Sequence, residues 1–570
     1  SDKANQLFDT IYMERVYRRP TTQTSLGMKT DYDKWNDISE ENYAKELQFA
    51  RNNLVRIQSI DVAQLDAQTQ LSYKLFEQSQ AQIIADYQWR HHDYPVNQMY
   101  GTHTKIPSLL INRHSIDNLK EAKDYIARLN GARTLLAQLV EQLKLREDKG
   151  IIAPKFVYDH VIRSSQNILK GAPFDAGEAS VLFNDFKSKI AKLAVPDEKK
   201  AQLIVAAEAA LLKSIKPGYE ELIAYVNKLQ NKANDDVGAW QFPDGEKFYN
   251  NALKRMTTTE LTADEIHQIG LLEVNRIHDE MRSIMKLVNF KGELGEFFDF
   301  MRHAPQFYYS NTDAGRQQYL DDVSELVSSM QEKLAELFTI QPKAALKVKR
   351  VAAFREQSAS KAFYQGPTPD GTRPGTYYVN LYNMEAMPIY QMPALAYHEA
   401  LPGHHMQIGL QVELNSIPKF RKFGGYTAYT EGWALYSELL PKEIGFYQDP
   451  YADFGRLAME LWRACRLVVD TGIHQKMWSR EQAMQYYMHN TPNPKSDVVK
   501  MVERHIVDPA QATSYKIGMM KILELRDYAK LTLGNQFDIS AFHDIILKNG
   551  PVPLSVLEEN VRAYAQSAMQ

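Results

Sequence analysis

The chain contains 570 residues, of which 44% are hydrophobic, and its formal net charge at pH 7 is −3. A chain of this length can bury more than one hydrophobic core, and its near-neutral charge argues against a nucleic-acid partner, since phosphate-binding surfaces usually carry a basic excess. No run of 18 or more apolar residues occurs, which argues against a membrane-spanning helix, and the single cysteine, Cys465, excludes internal disulfides and a cysteine-rich metal site.

The N-terminal region has helical periodicity. Ser39 can cap a helix in which apolar residues recur at intervals of three and four between Tyr43 and Ile57. Residues 116–145 show the same periodicity, and Gly131 predicts an interruption of that helix. This region is therefore predicted to consist of long amphipathic helices.

A polar, turn-prone segment at residues 231–238 predicts a soft domain boundary. We predict an N-terminal helical part, residues 1–235, and a second part, residues 236–570. Two capping boxes predict helix starts in the second part, namely Thr262 with Glu265 and Ser479 with Gln482. The expected fold class is mainly α.

One β-rich run interrupts the helical pattern. Residues 376–381 follow the turn-forming residues 370–375 and predict a strand. This small β element comes shortly before the segment that carries the strongest chemical signal.

That segment is residues 397–407, Tyr-His-Glu-Ala-Leu-Pro-Gly-His-His-Met-Gln. Three histidines and one glutamate fall within eight residues, and Glu431 follows downstream. Imidazoles and a carboxylate suit Zn²⁺, and three protein ligands leave a coordination position for water. Glu399 directly follows His398, which is where a zinc hydrolase carries its general base. We predict a catalytic site with one Zn²⁺ per chain.

The spacing of the histidines differs from the usual HExxH motif. Four residues after His398 stands Pro402, whose ring would clash with the carbonyl of His398 in a straight helix. His405 is in phase with His398, but seven helical residues separate them by roughly 10 Å, and zinc bonds are only about 2.0–2.1 Å long. The helix is therefore predicted to break at residues 401–403. A two-residue loop selects His404 as the second ligand and a three-residue loop selects His405; we favour His404.

Residues 398–407 resemble the HEAxPGHHxQ motif of a bacterial family of unknown function, many members of which are called lipoproteins. The resemblance extends to further segments, at residues 257–267 (with Ala263 where proline is usual), 373–380, 431–436, 466–472 and 514–518. It covers the chain from about Gln241 to the C-terminus. The family in turn resembles helical zinc peptidases of the gluzincin type, such as angiotensin-converting enzyme and the oligopeptidases.

This resemblance implies a large helical body with a substrate cleft, in which the two parts pack as one continuous body and residues 236–570 are catalytic. In such peptidases a strand before the metal helix pairs with extended substrate, so residues 376–381 are expected to present an unpaired edge; an ordinary hairpin is the alternative. A tyrosine from a late helix lies over the substrate carbonyl, and Tyr515 is the candidate for this oxyanion donor.

Further residues are candidates for binding the peptide substrate. Arg466, Arg504 and Lys516 could bind a terminal carboxylate, since bidentate pairing of arginine with carboxylate suits that task. Tyr429 and Asn380 are candidate substrate contacts. Glu438 lies seven residues after Glu431, near the same helix face, and is a candidate to accept a hydrogen bond from a metal-binding residue without binding the metal itself.

The sequence therefore predicts a zinc metallopeptidase acting on peptides or short oligopeptides. The alternatives are a peptide-binding lipoprotein without catalysis and a zinc hydrolase of non-peptide amides or esters. The chain begins at Ser1 rather than methionine, and we expect a removed leader or lipid anchor. The lipoprotein resemblance favours a periplasmic or outer-membrane location over the cytoplasm. Endo- or exopeptidase specificity, oligomeric state and retention of the metal stay open.

Overall fold

The structure is a computed structural model that describes residues 1–351, 356, 359–368, 371 and 373–568. It confirms the predicted mainly α class with a small β element before the histidine-rich segment. The chain divides into two units, Ser1–Asp236 with Gln241–Pro243, and Val237–Trp240 with Asp244–Gln570. Each unit is described by itself.

The first unit is helical. Its α-helices are α1 (Asp2–Tyr17), α2 (Pro20–Ser25), α3 (Glu40–Gln58), α4 (Ala67–Asp86), α5 (Thr102–Asn112), α6 (Leu119–Asp148), α7 (Lys155–Ile168), α8 (Val181–Ala191), α9 (Asp197–Ala210) and α10 (Lys216–Gln230). The predicted cap of α3 is confirmed, because the Ser39 side chain accepts a hydrogen bond from the backbone N–H of Asn42. α6 begins three residues later than predicted and continues through Gly131, so the predicted interruption is wrong. A side chain at Gly131 would stand 3.3 Å from the Trp35 ring, which accounts for the glycine there.

The second unit carries the remaining helices. They are α11 (Gly245–Thr257), α12 (Ala263–Leu287), α13 (Leu294–His303), α14 (Asp313–Lys333), α15 (Met392–Glu399), α16 (His404–Glu413), α17 (Lys419–Lys422), α18 (Thr427–Ser437), α19 (Leu440–Glu443), α20 (Pro450–His474), α21 (Arg480–Asn490), α22 (Lys495–Val507), α23 (Ser514–Leu533), α24 (Ile539–Leu547) and α25 (Leu554–Ser567). Both predicted capping boxes are confirmed, at the starts of α12 and α21.

A three-stranded sheet precedes α15. β1 (Leu346–Arg350) pairs in parallel with β3 (Gly375–Val379), and β2 (Ala362–Gln365) pairs with β3 in antiparallel. The predicted strand is thus confirmed, although it begins one residue earlier and ends two residues earlier than expected. Because β3 is the middle strand, its backbone is paired on both sides, and the expected unpaired edge at this strand is wrong. Positions 370 and 372 of the predicted turn lie outside the described residues.

The sheet and α15 share a hydrophobic core. Tyr377 and Val379 of β3 pack in one buried cluster with Val323 of α14 and with Leu395 and Ala396 of α15. Burial of apolar side chains contributes about 1.5–3 kcal/mol each, so this core fixes α15, the helix that ends in the His-Glu pair.

Helices α18 and α23 cross at a pair of glycines. A Cβ atom on Gly518 would lie 1.9 Å from the Ala428 carbonyl oxygen and 2.7 Å from the Gly432 Cα. The two backbones can approach so closely only because both positions lack a side chain. Glu431 precedes one glycine and Tyr515 lies three residues before the other, so the crossing brings both toward the same region.

No helix in the described part of the chain combines the length and the apolar composition needed to cross a membrane, in agreement with the expectation from the sequence.

We predict that Gly518→Ala lowers the free energy of unfolding by about 1–3 kcal/mol or more, because the added methyl group meets backbone that cannot rotate away. Urea denaturation followed by circular dichroism measures this change. Gly295→Ala is the matched control: this exposed helical position has no neighbouring atom within 4 Å of the methyl group that alanine would add, so alanine should stabilise by about 0.5–1 kcal/mol. A stable Gly518→Ala protein would contradict the close crossing.

Candidate metal centre

The helix breaks between α15 and α16, as the position of Pro402 predicts. α15 ends at Glu399 and α16 begins at His404. A Cβ atom on Gly403 would lie 2.0 Å from the His398 carbonyl oxygen, so the turn requires a residue without a side chain. The Pro402 carbonyl accepts hydrogen bonds from Trp433 Nε1 at 3.0 Å and from Ser437 Oγ at 3.2 Å. Helix α18 therefore holds the connecting turn.

This break brings three potential ligand atoms together. The Nε2 atoms of His398 and His404 each lie 3.5 Å from Oε2 of Glu431. The candidate ligand atoms of the three residues lie within 4.8 Å of one another, and no other group of three or more His, Cys, Asp or Glu residues in the described ranges is so arranged. The cluster contains His404, the second ligand that the two-residue loop selects, together with His398 and Glu431.

The geometry of these atoms fits a zinc ion. Ligand atoms that bind one ion tetrahedrally through bonds of 2.0–2.1 Å are separated by about 3.4 Å, close to the 3.5 Å from either imidazole to the carboxylate. Oε2 of Glu431 is buried and has no hydrogen-bond partner among the described residues, whereas buried polar atoms in proteins are nearly always satisfied. Two imidazoles and a carboxylate are also a ligand set that zinc accepts.

A buried carboxylate orients the first histidine. Nδ1 of His398 lies 2.8 Å from Oε1 of Glu438, which is buried at the end of α18. A proton on Nδ1 donated to Glu438 leaves the Nε2 lone pair directed at the cluster. Sequence spacing indicated this support for the ligands, and the structure places Glu438 there.

The electrostatics of the cluster favour a positive charge at its centre. Burial lowers the pKa of His398, but its contacts with Glu431 and Glu438 outweigh burial and raise that pKa to about 9. For Glu431, burial raises the pKa, and the neighbouring imidazoles of His404 and His398 lower it well below its usual range. The ligand atoms therefore stabilise a cation between them, in the absence of metal a proton.

Glu399 is buried beside this cluster. It is the last residue of α15, and it interacts electrostatically with His398, His404 and Glu431. Burial raises the pKa of Glu399 above its ordinary value, and the imidazoles offset part of this effect. A carboxylate whose pKa is raised toward neutrality is suited to accept a proton from water.

His405 does not join the cluster. Its Nε2 lies 3.1 Å from the Ala344 carbonyl oxygen and its Nδ1 lies 2.8 Å from the Tyr364 hydroxyl. Because a carbonyl oxygen only accepts, Nε2 carries the proton and Nδ1 accepts from Tyr364. Adjacent helical residues point about 100° apart, so α16 cannot present both histidines to one ion. His405 is one of the predicted metal residues, and the structure places it elsewhere.

Tyr515 and two of the predicted arginines lie next to the cluster. The Tyr515 ring stacks on the His398 ring, with centroids 6.5 Å apart and planes 18° apart. The Arg466 guanidinium carbon lies 4.4 Å from the centre of the Tyr515 ring. Arg504 Nη2 donates to the Tyr515 hydroxyl oxygen at 3.4 Å.

Three other predicted substrate contacts do not lie at the site. Tyr429 is fully buried and its hydroxyl donates to the Ile546 carbonyl at 2.8 Å. Asn380 donates its side-chain amide to the backbone carbonyls of Glu356 and Ala359, which precede β2. Lys516 forms ion pairs with Glu460 and Glu273. Each of these side chains has a structural partner that the sequence did not reveal.

Two residues near the site were missed. Tyr364 of β2 reaches both histidines of α16, with a hydrogen bond to His405 and a ring stacked 6.4 Å from that of His404. Arg463 lies three residues before Arg466 on α20, and this spacing on one helix face was a usable signal. No such signal marked Tyr364, because its position next to the histidines depends on the pairing of β2 with β3.

We predict about one zinc ion per purified chain, and a loss of zinc affinity in His404→Ala at least tenfold greater than in His405→Ala. Only His404 faces Glu431, whereas His405 contacts Tyr364 and a backbone carbonyl. Elemental analysis and competition with a zinc-binding dye measure occupancy and affinity.

His398→Ala and Glu431→Ala are the reference variants and should lose zinc. Full zinc occupancy in both of them would show that the ligand assignment is incorrect. Equal zinc affinities in the His404 and His405 variants would argue against the two-residue loop.

A family model for bacterial proteins of unknown function, DUF885, matches residues 20–561. The match begins far upstream of Gln241, where the resemblance in the sequence was expected to start. It therefore includes most of the first unit as well as the candidate metal centre.

Several solved structures are similar to this chain, and two of them are described here. One, a "putative lipoprotein" from Colwellia psychrerythraea, is 33% identical with a TM-score of 0.92, over 99% of this chain and 99% of that chain. The other, a "putative lipoprotein of unknown function" from Shewanella oneidensis, is 19% identical with a TM-score of 0.75, over 98% of this chain and 99% of that chain. The second likeness shows the fold alone. No curated protein matches the chain.

Proposed function

This chain belongs to the DUF885 family of bacterial proteins, and we propose that it is a zinc-dependent metallopeptidase that hydrolyses peptides or short oligopeptides. The observation that carries the proposal is the convergence of His398, His404 and Glu431 on one point beside the buried Glu399. The predicted resemblance to helical zinc peptidases of the gluzincin type supports the same conclusion by analogy of fold and ligand set.

His398, His404 and Glu431 would hold the ion, with Glu438 orienting His398. Zinc at this point would polarise a substrate carbonyl and lower the pKa of a bound water. The ligand set uses three protein atoms and leaves room in a tetrahedral arrangement for the water or the substrate.

Glu399 is the proposed general base. Its carboxylate takes a proton from the attacking water and can return that proton to the leaving amine. The burial that raises its pKa brings its proton affinity closer to that required near neutral pH. A protein that only binds peptides has no use for a buried carboxylate at this position, which favours catalysis over the binding alternative.

Tyr515 is the proposed donor to the substrate carbonyl oxygen as that oxygen gains negative charge. Arg504 donates to the Tyr515 hydroxyl oxygen, so the hydroxyl proton is available for another acceptor. The Tyr515 ring is stacked on that of His398, one of the proposed ligands, which places this tyrosine next to the proposed metal site. Such a preorganised donor stabilises the transition state more than the substrate.

We further propose that the protein works in the bacterial cell envelope. The similar solved structure that is 33% identical carries the description lipoprotein, which supports this location. Short peptides in the periplasm are suitable substrates for such a location.

We predict that Glu399→Gln lowers kcat/KM for peptide cleavage by about 10²–10⁴-fold while zinc content and folding are retained. Glutamine preserves the size of the side chain but cannot accept a proton at neutral pH. A peptide-library digestion read by mass spectrometry identifies the substrate, and initial rates then quantify the loss. Glu524→Gln, an exposed residue on α23, is the control and should cleave normally. Cleavage by Glu399→Gln at the wild-type rate would rule out this mechanism.

We predict that Tyr515→Phe lowers kcat by about 10²–10³-fold with little change in substrate affinity, because the lost hydrogen bond forms chiefly in the transition state. Tyr429→Phe is a matched control that removes a buried hydroxyl away from the site. It should lower stability by about 1 kcal/mol and leave kcat unchanged. If Tyr515→Phe is silent while Glu399→Gln is inactive, the donor to the oxyanion lies elsewhere.

A further inference from the structure

Two buried arginines and one half-buried arginine surround Tyr515. The guanidinium carbons of Arg466 and Arg463 lie 4.4 and 5.9 Å from the centre of its ring, and Arg504 donates to its hydroxyl. Arg463 and Arg466 are one turn apart on α20, and Arg504 comes from α22. We refer to Arg463, Arg466 and Arg504 as the arginine cluster.

The arginine cluster has too few anionic partners. Nε and Nη1 of Arg466 are buried and have no hydrogen-bond partner among the described residues, and Nε of Arg463 and Nε of Arg504 are in the same condition. The one carboxylate within ion-pair distance in the described ranges is Glu438, 3.7 Å from Arg463, and its same oxygen already binds His398. Of the three arginines, only Arg463 therefore has a carboxylate within ion-pair distance among the described residues.

A neighbouring buried cation in the same unit shows the usual arrangement. Lys516 is fully buried, and two carboxylates lie 2.6 and 2.8 Å from its Nζ. A buried charge without such partners destabilises the folded protein. Asp508 and Glu431 interact electrostatically with Arg504, but neither carboxylate lies within ion-pair distance of it. The fold thus tolerates an unbalanced charge beside the metal centre, which indicates an anionic ligand.

We propose that the arginine cluster binds the carboxylate at the carboxyl terminus of the substrate, so that the enzyme is a carboxyl-terminal exopeptidase. This inference rests on the proposed peptidase function and adds its substrate class. The guanidinium groups present paired N–H donors that match a carboxylate. The free nitrogens of Arg466 supply such donors, and Tyr515 separates them from the His398 ring.

The distances limit the size of the fragment released. The Arg466 guanidinium lies 4.4 Å from the Tyr515 ring centre, which lies 6.5 Å from the His398 ring centre. An extended peptide advances about 3.3–3.6 Å per residue, so the terminal carboxylate lies within about three residues of the metal. Cleavage is therefore expected to release one to three residues from the carboxyl end.

The test compares peptides of one sequence with either a free carboxyl terminus or a terminal amide. The acid should be cleaved with a kcat/KM about 10- to 150-fold higher, the contribution expected of a hydrogen-bonded charged group. Mass spectrometry should show release of short carboxyl-terminal fragments. Equal cleavage of acid and amide, or cleavage at internal bonds only, would overturn the inference and leave the peptidase proposal intact.

Arg466→Met tests the arginine directly, because methionine keeps a long side chain and removes the charge. This variant should lose the preference for the acid and should not unfold more easily than the wild type, since an unpaired buried charge is removed. Arg526→Met is the control: Arg526 pairs with Glu443 and contacts Tyr436, so its loss should lower stability without changing the preference. Unchanged preference in Arg466→Met would overturn the assignment to this residue.

A binding measurement separates this inference from catalysis. Isothermal titration of the Glu399→Gln protein with both peptides should show tighter binding of the acid, and Arg466→Met in that background should remove the difference. If the acid binds preferentially but the wild-type protein cleaves no peptide, the carboxylate site is supported and the peptidase function is refuted. Equal affinity for both peptides would refute the carboxylate site.

Discussion

The contact between Gly403 and the end of α15 is the constraint on which the candidate site depends. A backbone carbonyl of α15 occupies the space where a side chain at Gly403 would stand, and this lets α16 begin against the helix that it follows. Without that approach, His398 and His404 would belong to two helices with no common centre. The turn is held from α18 through the Pro402 carbonyl, and α18 also supplies Glu431. One helix therefore both fixes the turn and completes the ligand set.

Helix α20 gives the site its charge balance. It provides Arg463 and Arg466 next to Tyr515, and its own Glu460 pairs with Lys516 and Arg456. The cations around Glu460 are therefore neutralised, whereas Arg466 on the same helix has no carboxylate within ion-pair distance among the described residues. In a low-dielectric interior this uncompensated charge produces a strong local field, and this field acts on any anion near the metal centre.

Local signals in the sequence accounted for much of this arrangement. The capping boxes at Thr262 and Ser479 fixed helix starts because they depend only on residues three apart. Pro402 predicted the helix break because its ring would clash with the His398 carbonyl in a straight helix, whichever residues surround it. The preference for His404 over His405 also followed from loop length and from the reach of a metal bond, and the structure faces His404 toward Glu431.

Features that depend on distant pairing were not accessible in this way. The position of β3 in the middle of the sheet depends on β1 and β2, which lie outside its own segment. Tyr429 and Asn380 were candidate substrate contacts because they lie close to the histidine-rich motif in the sequence. Their hydrogen bonds, however, go to backbone carbonyls that the tertiary fold brings near. The uncompensated charge around Tyr515 is a property of three helices together, so no single segment of the sequence displays it.

The hydrogen bonds of His405 have a consequence for how the metal centre is assembled. They tie the first turn of α16 to the Ala344 carbonyl and to Tyr364 of β2, on the side away from Glu431. The orientation of α16, and with it that of His404, is therefore determined by folding of the polypeptide and does not depend on metal binding. An ion that enters such a preorganised site does not bear the entropic cost of ordering its ligands. The empty and loaded forms of the protein should then differ little in backbone structure, and metal exchange becomes a local event.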